Sequence, residues 1–96
     1  MADADKAQAK RAARRVAEWL AQNEESFKQG GLNEGDLAGT LGLSAEEVTE
    51  GVDYLENREE VVRFLHPSET PPRVELKPGR GWAQLRGELL GNESHG

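Results

Sequence analysis

The apolar side chains of residues 6–29 recur at intervals of three and four, the spacing that lines one face of a helix. Trp19 borders this face. Gly30 and Gly31 follow it, and glycine readily takes the left-handed conformation that ends helices. The sequence therefore predicts one long first helix over residues 6–29. Its buried positions are Ala9, Ala12, Ala13, Val16, Ala17 and Leu20.

A second, shorter helix is predicted over residues 34–41. Asn33 is a favourable N-cap, and Asp36 places a negative charge in the first turn, where the helix dipole favours it. Gly42 then ends the helix. The inward-facing residues are expected to be Leu37, Ala38 and Leu41.

The third helix has the clearest start. Ser44 and Glu47 have the spacing of a capping box, in which each side chain bonds the amide of the other residue. Gly51 interrupts the apolar positions of this helix. Because glycine lowers helix stability, a close contact at this position is the expected compensation. We therefore expect the second helix to approach closely at Gly51, and the third helix to end near Arg58. The apolar positions are Val48, Val52 and Leu55.

A hairpin and a last helix are predicted beyond the third helix. Residues 61–66 are rich in strand-forming residues, and residues 73–77 alternate polar and apolar side chains. The proline-rich segment 67–72 between them predicts a turn, so the two runs form an antiparallel hairpin. After a break at residues 78–81, a short C-terminal helix is predicted from Trp82, Leu85 and Leu89.

Length and composition indicate one domain without cysteine chemistry. The chain has 96 residues, and we expect a partly disordered segment 1–8, a folded domain 9–90 and a flexible tail 91–96. The absence of cysteine excludes disulfides, thiolate zinc sites and a cysteine nucleophile. Neither a signal-peptide pattern nor a membrane-spanning apolar run is found. We therefore expect a cytoplasmic protein with no membrane partner.

The predicted order of helix, short helix, tight turn, helix and hairpin resembles the winged helix-turn-helix family. The residues that carry the resemblance are 36–48, with the turn Leu41-Gly42-Leu43-Ser44, and 54–56 leading into Val61 and Val62. The resemblance covers residues 9–80. It implies an α+β, mostly helical fold with a three-helix core, a two-stranded wing and a short C-terminal helix.

In DNA-binding members of this family the third helix enters the major groove. The resemblance places Ser44, Ala45, Glu46, Thr49, Glu50 and Asp53 on that side of the helix. None of these is an Arg, Lys, Asn or Gln, the residues that read most base edges. Residues 44–60 carry one base and seven acids, and they therefore account for the entire formal net charge of −6. The dense negative charge of DNA would repel this helix.

Two surfaces are therefore candidates for function. DNA phosphates could be contacted by bases of the first helix and the wing: Lys10, Arg11, Arg14, Arg15, Arg73, Lys77 and Arg80. A protein partner could be contacted by the acids of the third helix or by tryptophans: Glu46, Glu50, Asp53, Trp19 and Trp82. The ordinary alternative is that the charges are solvated surface and that the tryptophans belong to the core.

These surfaces give two functional hypotheses. The first, which the fold resemblance favours, is a DNA-binding transcriptional regulator that contacts phosphates through wing and first-helix bases and dimerises through its terminal helices. The second is a protein-interaction module that binds a basic protein partner. An enzyme is not expected, because neither His66 nor His95 has metal-ligand spacing and no nucleophile motif is present. No cofactor is expected.

Overall fold

The computed structural model describes the backbone of residues 2–70 and 72–94, and the side chains of residues 7–70 and 72–90. Within these residues the chain is an α+β fold, mostly helical, with five helices and one antiparallel sheet of two strands. The elements in chain order are α1 (Ala2–Gln22), α2 (Glu24–Gln29), α3 (Glu34–Leu41), α4 (Ala45–Asn57), β1 (Val61–His66), β2 (Arg73–Pro78) and α5 (Trp82–Ser94).

The predicted first helix is two helices. The chain leaves helical geometry at Asn23 (φ −119°, ψ 36°), where the side-chain amide donates a 2.9 Å hydrogen bond to the carbonyl oxygen of Trp19. Asparagine side chains compete in this way with the helical backbone. The prediction of one continuous helix over 6–29 was therefore wrong. The break turns α2 so that Phe27 is completely buried.

Helices α3 and α4 are the predicted second and third helices, with the predicted caps. The side chain of Asn33 accepts a hydrogen bond from the amide of Gly35. The capping box is complete: the Glu47 amide donates to Ser44 Oγ at 3.0 Å, and the Ser44 amide donates to Glu47 Oε1 at 2.9 Å. These reciprocal bonds satisfy two amides that an uncapped helix start leaves unpaired.

Gly51 is a point of close approach, but its neighbour is α1 and not the second helix. A Cβ atom on Gly51 would lie 2.8 Å from the carbonyl carbon of Ala12 and 2.9 Å from the backbone nitrogen of Ala13. Our prediction of the neighbouring helix was wrong, because the spacing of apolar residues does not specify which other helix they meet. The alanines of α1 allow this approach, and α1 packs more extensively on α4 than on any other element described.

The predicted hairpin is present. Strands β1 and β2 pair in antiparallel register from Val61 opposite Pro78 to His66 opposite Arg73. The other edge of β2 meets the segment before α3, where the Leu76 amide donates to the Leu32 carbonyl at 2.9 Å. Strand β2 therefore lies between β1 and this segment, and β1 is an edge strand.

Helix α5 closes one side of the core. Trp82 is 2% exposed, its ring meets Phe27 edge to face with centroids 4.8 Å apart, and its Nε1 donates to Glu24 at 3.0 Å. The helix continues to Ser94, through part of the expected tail, and His95 and Gly96 lie outside the described residues. The core comprises Ala13, Val16, Ala17, Leu20, Phe27, Leu37, Val48, Val52, Leu55, Val61, Leu76 and Trp82.

Candidate functional site

The outer side of α4 carries the acidic residues singled out in the sequence. Ser44, Ala45, Glu46, Thr49 and Asp53 are exposed, and Glu50 is half-buried. Among the side chains that the structure describes, neither Glu46 nor Glu50 forms an ion pair, so both carboxylates remain available to a partner. We call Glu46 and Glu50 the acidic face.

Asp53 differs from these two carboxylates because it forms an ion pair with Arg63. The guanidinium of Arg63, in β1, hydrogen-bonds Asp53 and also Glu34 at 2.7 Å and Glu56 at 3.1 Å. It donates a further bond to the carbonyl oxygen of Thr49 at 3.2 Å. Asp53 is therefore part of an internal ion-pair network, and its proposed role as a free partner contact loses support.

The network around Arg63 holds three elements together. The Arg63 side chain is 19% exposed. Burial opposes its charge, but hydrogen bonds to Glu34 and Asp53 outweigh this effect and raise the pKa of Arg63 above its ordinary value. A guanidinium offers five donors in a fixed geometry, which suits it to bridge several carboxylates. Arg63 thereby links the start of α3, the outer side of α4 and the hairpin.

Sequence reasoning missed Arg63, although one signal was present. Arg63 lies between Val61 and Leu65 on the side of β1 that alternation turns towards the core. A buried arginine needs carboxylate partners, and the acid-rich segment 44–60 directly precedes the strand. The sequence nevertheless could not indicate which of its carboxylates Arg63 would contact.

The basic cluster of α1 consists of Lys10, Arg11, Arg14 and Arg15, all exposed. Arg14 pairs with Glu18 one turn along the helix at 3.1 Å, a contact that stabilises an exposed helix by only about 0.3–0.5 kcal/mol. Within the described side chains, Lys10 and Arg11 form no ion pair.

Three of these bases line one groove. Arg11, Arg14 and Arg15 border a groove of about 570 Å³ between α1 and the start of α4, which Glu47 and Leu43 also line. Arg15 donates a 2.8 Å hydrogen bond to the carbonyl oxygen of Leu41 at the end of α3. These three arginines of α1 are therefore presented beside the turn that joins α3 and α4.

The candidate bases of the hairpin are occupied by contacts within the chain. The Nε and Nη2 atoms of Arg73 each donate a 3.1 Å hydrogen bond to the carboxylate of Glu69. Arg80 pairs with Glu59, and Lys77 lies 5.4 Å from the centroid of the Phe64 ring. The hydrogen bond to Glu69 raises the pKa of Arg73, and that to Glu59 raises the pKa of Arg80. The structure therefore separates Lys10 and Arg11, which form no ion pair among the described side chains, from the paired residues Arg14, Arg73 and Arg80. Arg15 and Lys77 have other contacts within the chain.

The remaining candidate residues, the two tryptophans and His66, make contacts within the folded chain. Trp82 is buried in the core, and half-buried Trp19 packs against that core, so Trp82 is withdrawn as an interface anchor. His66 Nε2 lies 2.9 Å from Glu75 Oε1, and Glu75 also accepts a hydrogen bond from the Gly31 amide. The Gly31 bond and then the His66 bond lower the pKa of Glu75. This carboxylate fastens the hairpin to the loop before α3.

Two features are absent from the part of the chain that the structure describes. No group of three or more His, Asp or Glu side chains there is arranged to hold a metal ion. No helix among the described residues is long and apolar enough to cross a bilayer.

No family model matches this chain, and comparison with curated proteins and with solved structures gave no match either. The functional proposal therefore depends on the fold and on the two charged surfaces.

Proposed function

We propose that this chain is a small winged helix-turn-helix protein that regulates transcription by binding DNA through the basic cluster of α1. The order of α1, α3, α4 and the β1–β2 hairpin supports the winged-helix assignment. In such a domain α3 and α4 form the helix-turn-helix pair, and the hairpin is the wing.

The observation that carries the proposal is the unequal engagement of the two basic surfaces. Lys10 and Arg11 form no ion pair among the described side chains, whereas Arg73 and Arg80 are held by carboxylates. Phosphate binding by a paired arginine first requires that pair to be broken, which reduces the net gain by the contribution of an exposed pair, at most about 1 kcal/mol. We therefore assign the phosphate contacts to α1 and no longer to the wing.

Helix α4 is not assigned a place in the major groove. Its outer side offers Glu46 and Glu50, which would meet the negative potential of the duplex. Arg63 cannot compensate for them, because it is already shared among Glu34, Asp53 and Glu56. Binding through α1 would thus be backbone-directed and largely independent of base sequence.

Removing two charges from α1 tests this proposal. The variant Lys10→Gln/Arg11→Gln is expected to bind a random-sequence duplex more weakly than the wild type, because two phosphate contacts are lost. The slope of log K against log salt should fall by about 0.9 for each contact removed. Fluorescence anisotropy of a labelled duplex over a salt series measures both quantities.

The matched control removes two charges from the wing. Arg73→Gln/Arg80→Gln makes the same change in net charge, but its arginines are paired in the free protein, so we expect a smaller loss of affinity and slope. Equal effects of the two variants would show that binding follows net charge alone. A wild type that does not bind duplex at low salt would contradict the proposal.

The acidic face supports a second candidate function, a module that binds a basic protein. Glu46 and Glu50 project from one helix with no ion pair among the described side chains, and complementary charge guides the encounter of protein partners. On this hypothesis α4 of the winged-helix domain contacts a Lys- or Arg-rich surface and not a nucleic acid.

A cationic peptide distinguishes this candidate from DNA binding. If the acidic face is the binding surface, an oligolysine peptide should bind the wild type, and Glu46→Gln/Glu50→Gln should weaken that binding at the same salt concentration. The control is Glu25→Gln/Glu88→Gln, which removes two exposed acids from other helices. Equal weakening by both variants, as measured by isothermal titration calorimetry, would contradict a specific role for the acidic face.

A further inference from the structure

Strand β1 exposes apolar side chains at the edge of the sheet. Val62 is 36% exposed, Phe64 47% and Leu65 62%. Strand β2 is paired on both sides, with β1 and with the segment at Leu32. Among the described residues, no strand pairs with the other edge of β1. An apolar edge strand of this kind is a template for pairing with another strand.

The hydrogen-bond pattern identifies which backbone groups of β1 point outward. The Leu76 amide donates to Leu32, so Leu76 and the opposite residue Arg63 do not exchange hydrogen bonds across the hairpin. The Gly79 amide donates to the Glu60 carbonyl at 3.1 Å, so the even-numbered residue 60 bonds across the hairpin, as this alternation of pairs requires. The amides and carbonyls of residues 61, 63 and 65 therefore face away from β2.

We propose that β1 pairs with β1 of a second copy of this chain, in antiparallel orientation about a two-fold axis at Arg63. This register bonds Arg63 to Arg63 of the second copy, and Val61 to Leu65. It is the register in which all three outward-facing residues of each strand are paired. The dimer would have one continuous sheet across the axis and a symmetric interface, as most homodimers do.

The side chains fit the same register. Val62 of one copy lies directly opposite Phe64 of the other, and the symmetry makes this contact twice. Pairs of an aromatic with a β-branched residue stabilise antiparallel strands. Both residues are exposed in the single chain, so the pairing removes their apolar surface from water.

The opposed arginines do not prevent this pairing. Each Arg63 is surrounded in its own copy by the carboxylates of Glu34, Asp53 and Glu56. These three carboxylates outnumber the guanidinium, so each cluster is net negative, and added salt, which screens like charges, should tighten the dimer. The two arginines placed directly opposite each other therefore do not meet as uncompensated cations.

Sedimentation equilibrium of the wild type and two lysine variants tests where the copies meet. At about 100 μM the wild type should be dimeric if the dissociation constant is micromolar. Val62→Lys should raise that constant by at least about tenfold, since edge lysines oppose strand pairing. The control Leu90→Lys changes an apolar residue of similar exposure, 42%, on α5, within the terminal-helix seam predicted from the sequence.

Cysteine cross-linking tests the register, and the cysteine-free chain gives a clean background. Single variants Val62→Cys and Phe64→Cys are oxidised separately and as an equimolar mixture. Residues 62 and 64 of different copies form a directly opposed pair with Cα atoms about 4.5 Å apart, within disulfide reach. Two copies of the same variant place their cysteines diagonally, about 7–8 Å apart. We therefore expect the mixed dimer, identified by mass, to predominate.

Three results would overturn the proposal. A monomeric wild type at the highest concentration would show that β1 is not an interface between copies, whether it is unoccupied or pairs with another protein. Dissociation by Leu90→Lys but not by Val62→Lys would place the interface at the terminal helices. Cross-linking of each single variant as efficient as that of the mixture would contradict the register.

Discussion

Replacing Gly51 with alanine is expected to lower the free energy of unfolding by about 1–3 kcal/mol, the usual cost of overpacking a well-packed interior. The added methyl group would lie 2.8 Å from the backbone of Ala12, and a backbone segment inside a long helix cannot move away locally. Alanine is the better helix former by about 1 kcal/mol, so a net loss would show that the α1–α4 packing dominates. Urea denaturation followed by circular dichroism measures the effect.

Gly39 is the matched control for Gly51. It also lies in a helix, α3, but no heavy atom beyond its own helical backbone and chain neighbours lies within 4 Å of the position that its Cβ would occupy. Gly39→Ala should therefore stabilise the protein by as much as about 1 kcal/mol through helix propensity alone. If Gly51→Ala were stabilising to the same extent, α1 and α4 could not cross as closely as described.

Truncating Phe27 to alanine is expected to have the largest effect on stability, a loss of about 3–5 kcal/mol. The ring is completely buried and meets the edge of Trp82 at 4.8 Å between centroids. Its loss leaves a cavity at the junction of α2, α5 and the core. Because small domains are only marginally stable, much of the Phe27→Ala protein should be unfolded at 37 °C, and a thermal melt monitored by Trp fluorescence measures this.

Two further variants separate the sources of this effect. Phe27→Leu fills most of the space and should lose less than about 1.5 kcal/mol, a loss that includes the aromatic contact with Trp82. Leu90→Ala removes an apolar side chain that is already 42% exposed and should change stability by less than about 0.5 kcal/mol. A Phe27→Ala protein as stable as Phe27→Leu would contradict the described position of the ring.

Much of the fold followed from local sequence signals. The capping box at Ser44 and Glu47, the N-cap at Asn33 and the strand pattern of residues 61–66 each specify a structure through neighbouring residues, and all three are confirmed. The break at Asn23 was missed because asparagine in a helix has two outcomes: an outward side chain or a bond to the backbone. The helical spacing of apolar residues on either side of Asn23 did not distinguish these two outcomes.

The candidate surfaces were predicted less completely than the fold. The sequence located the bases of α1 and the acids of α4, and both sets lie at the surface. It could not separate Lys10 and Arg11, which form no ion pair within the described side chains, from Arg73 and Arg80, which do. Glu59, the partner of Arg80, lies 21 positions away in sequence, and no spacing rule connects the two.

The sequence by itself determined where most helices and strands begin and end, and that all of the net negative charge lies in residues 44–60. These properties depend on composition and on hydrogen bonds between near neighbours. Only the tertiary structure decided that α1 meets Gly51, that Arg63 pairs with Asp53, and that β1 forms an open edge. Each of these depends on residues distant along the chain that the packing of the core brings together.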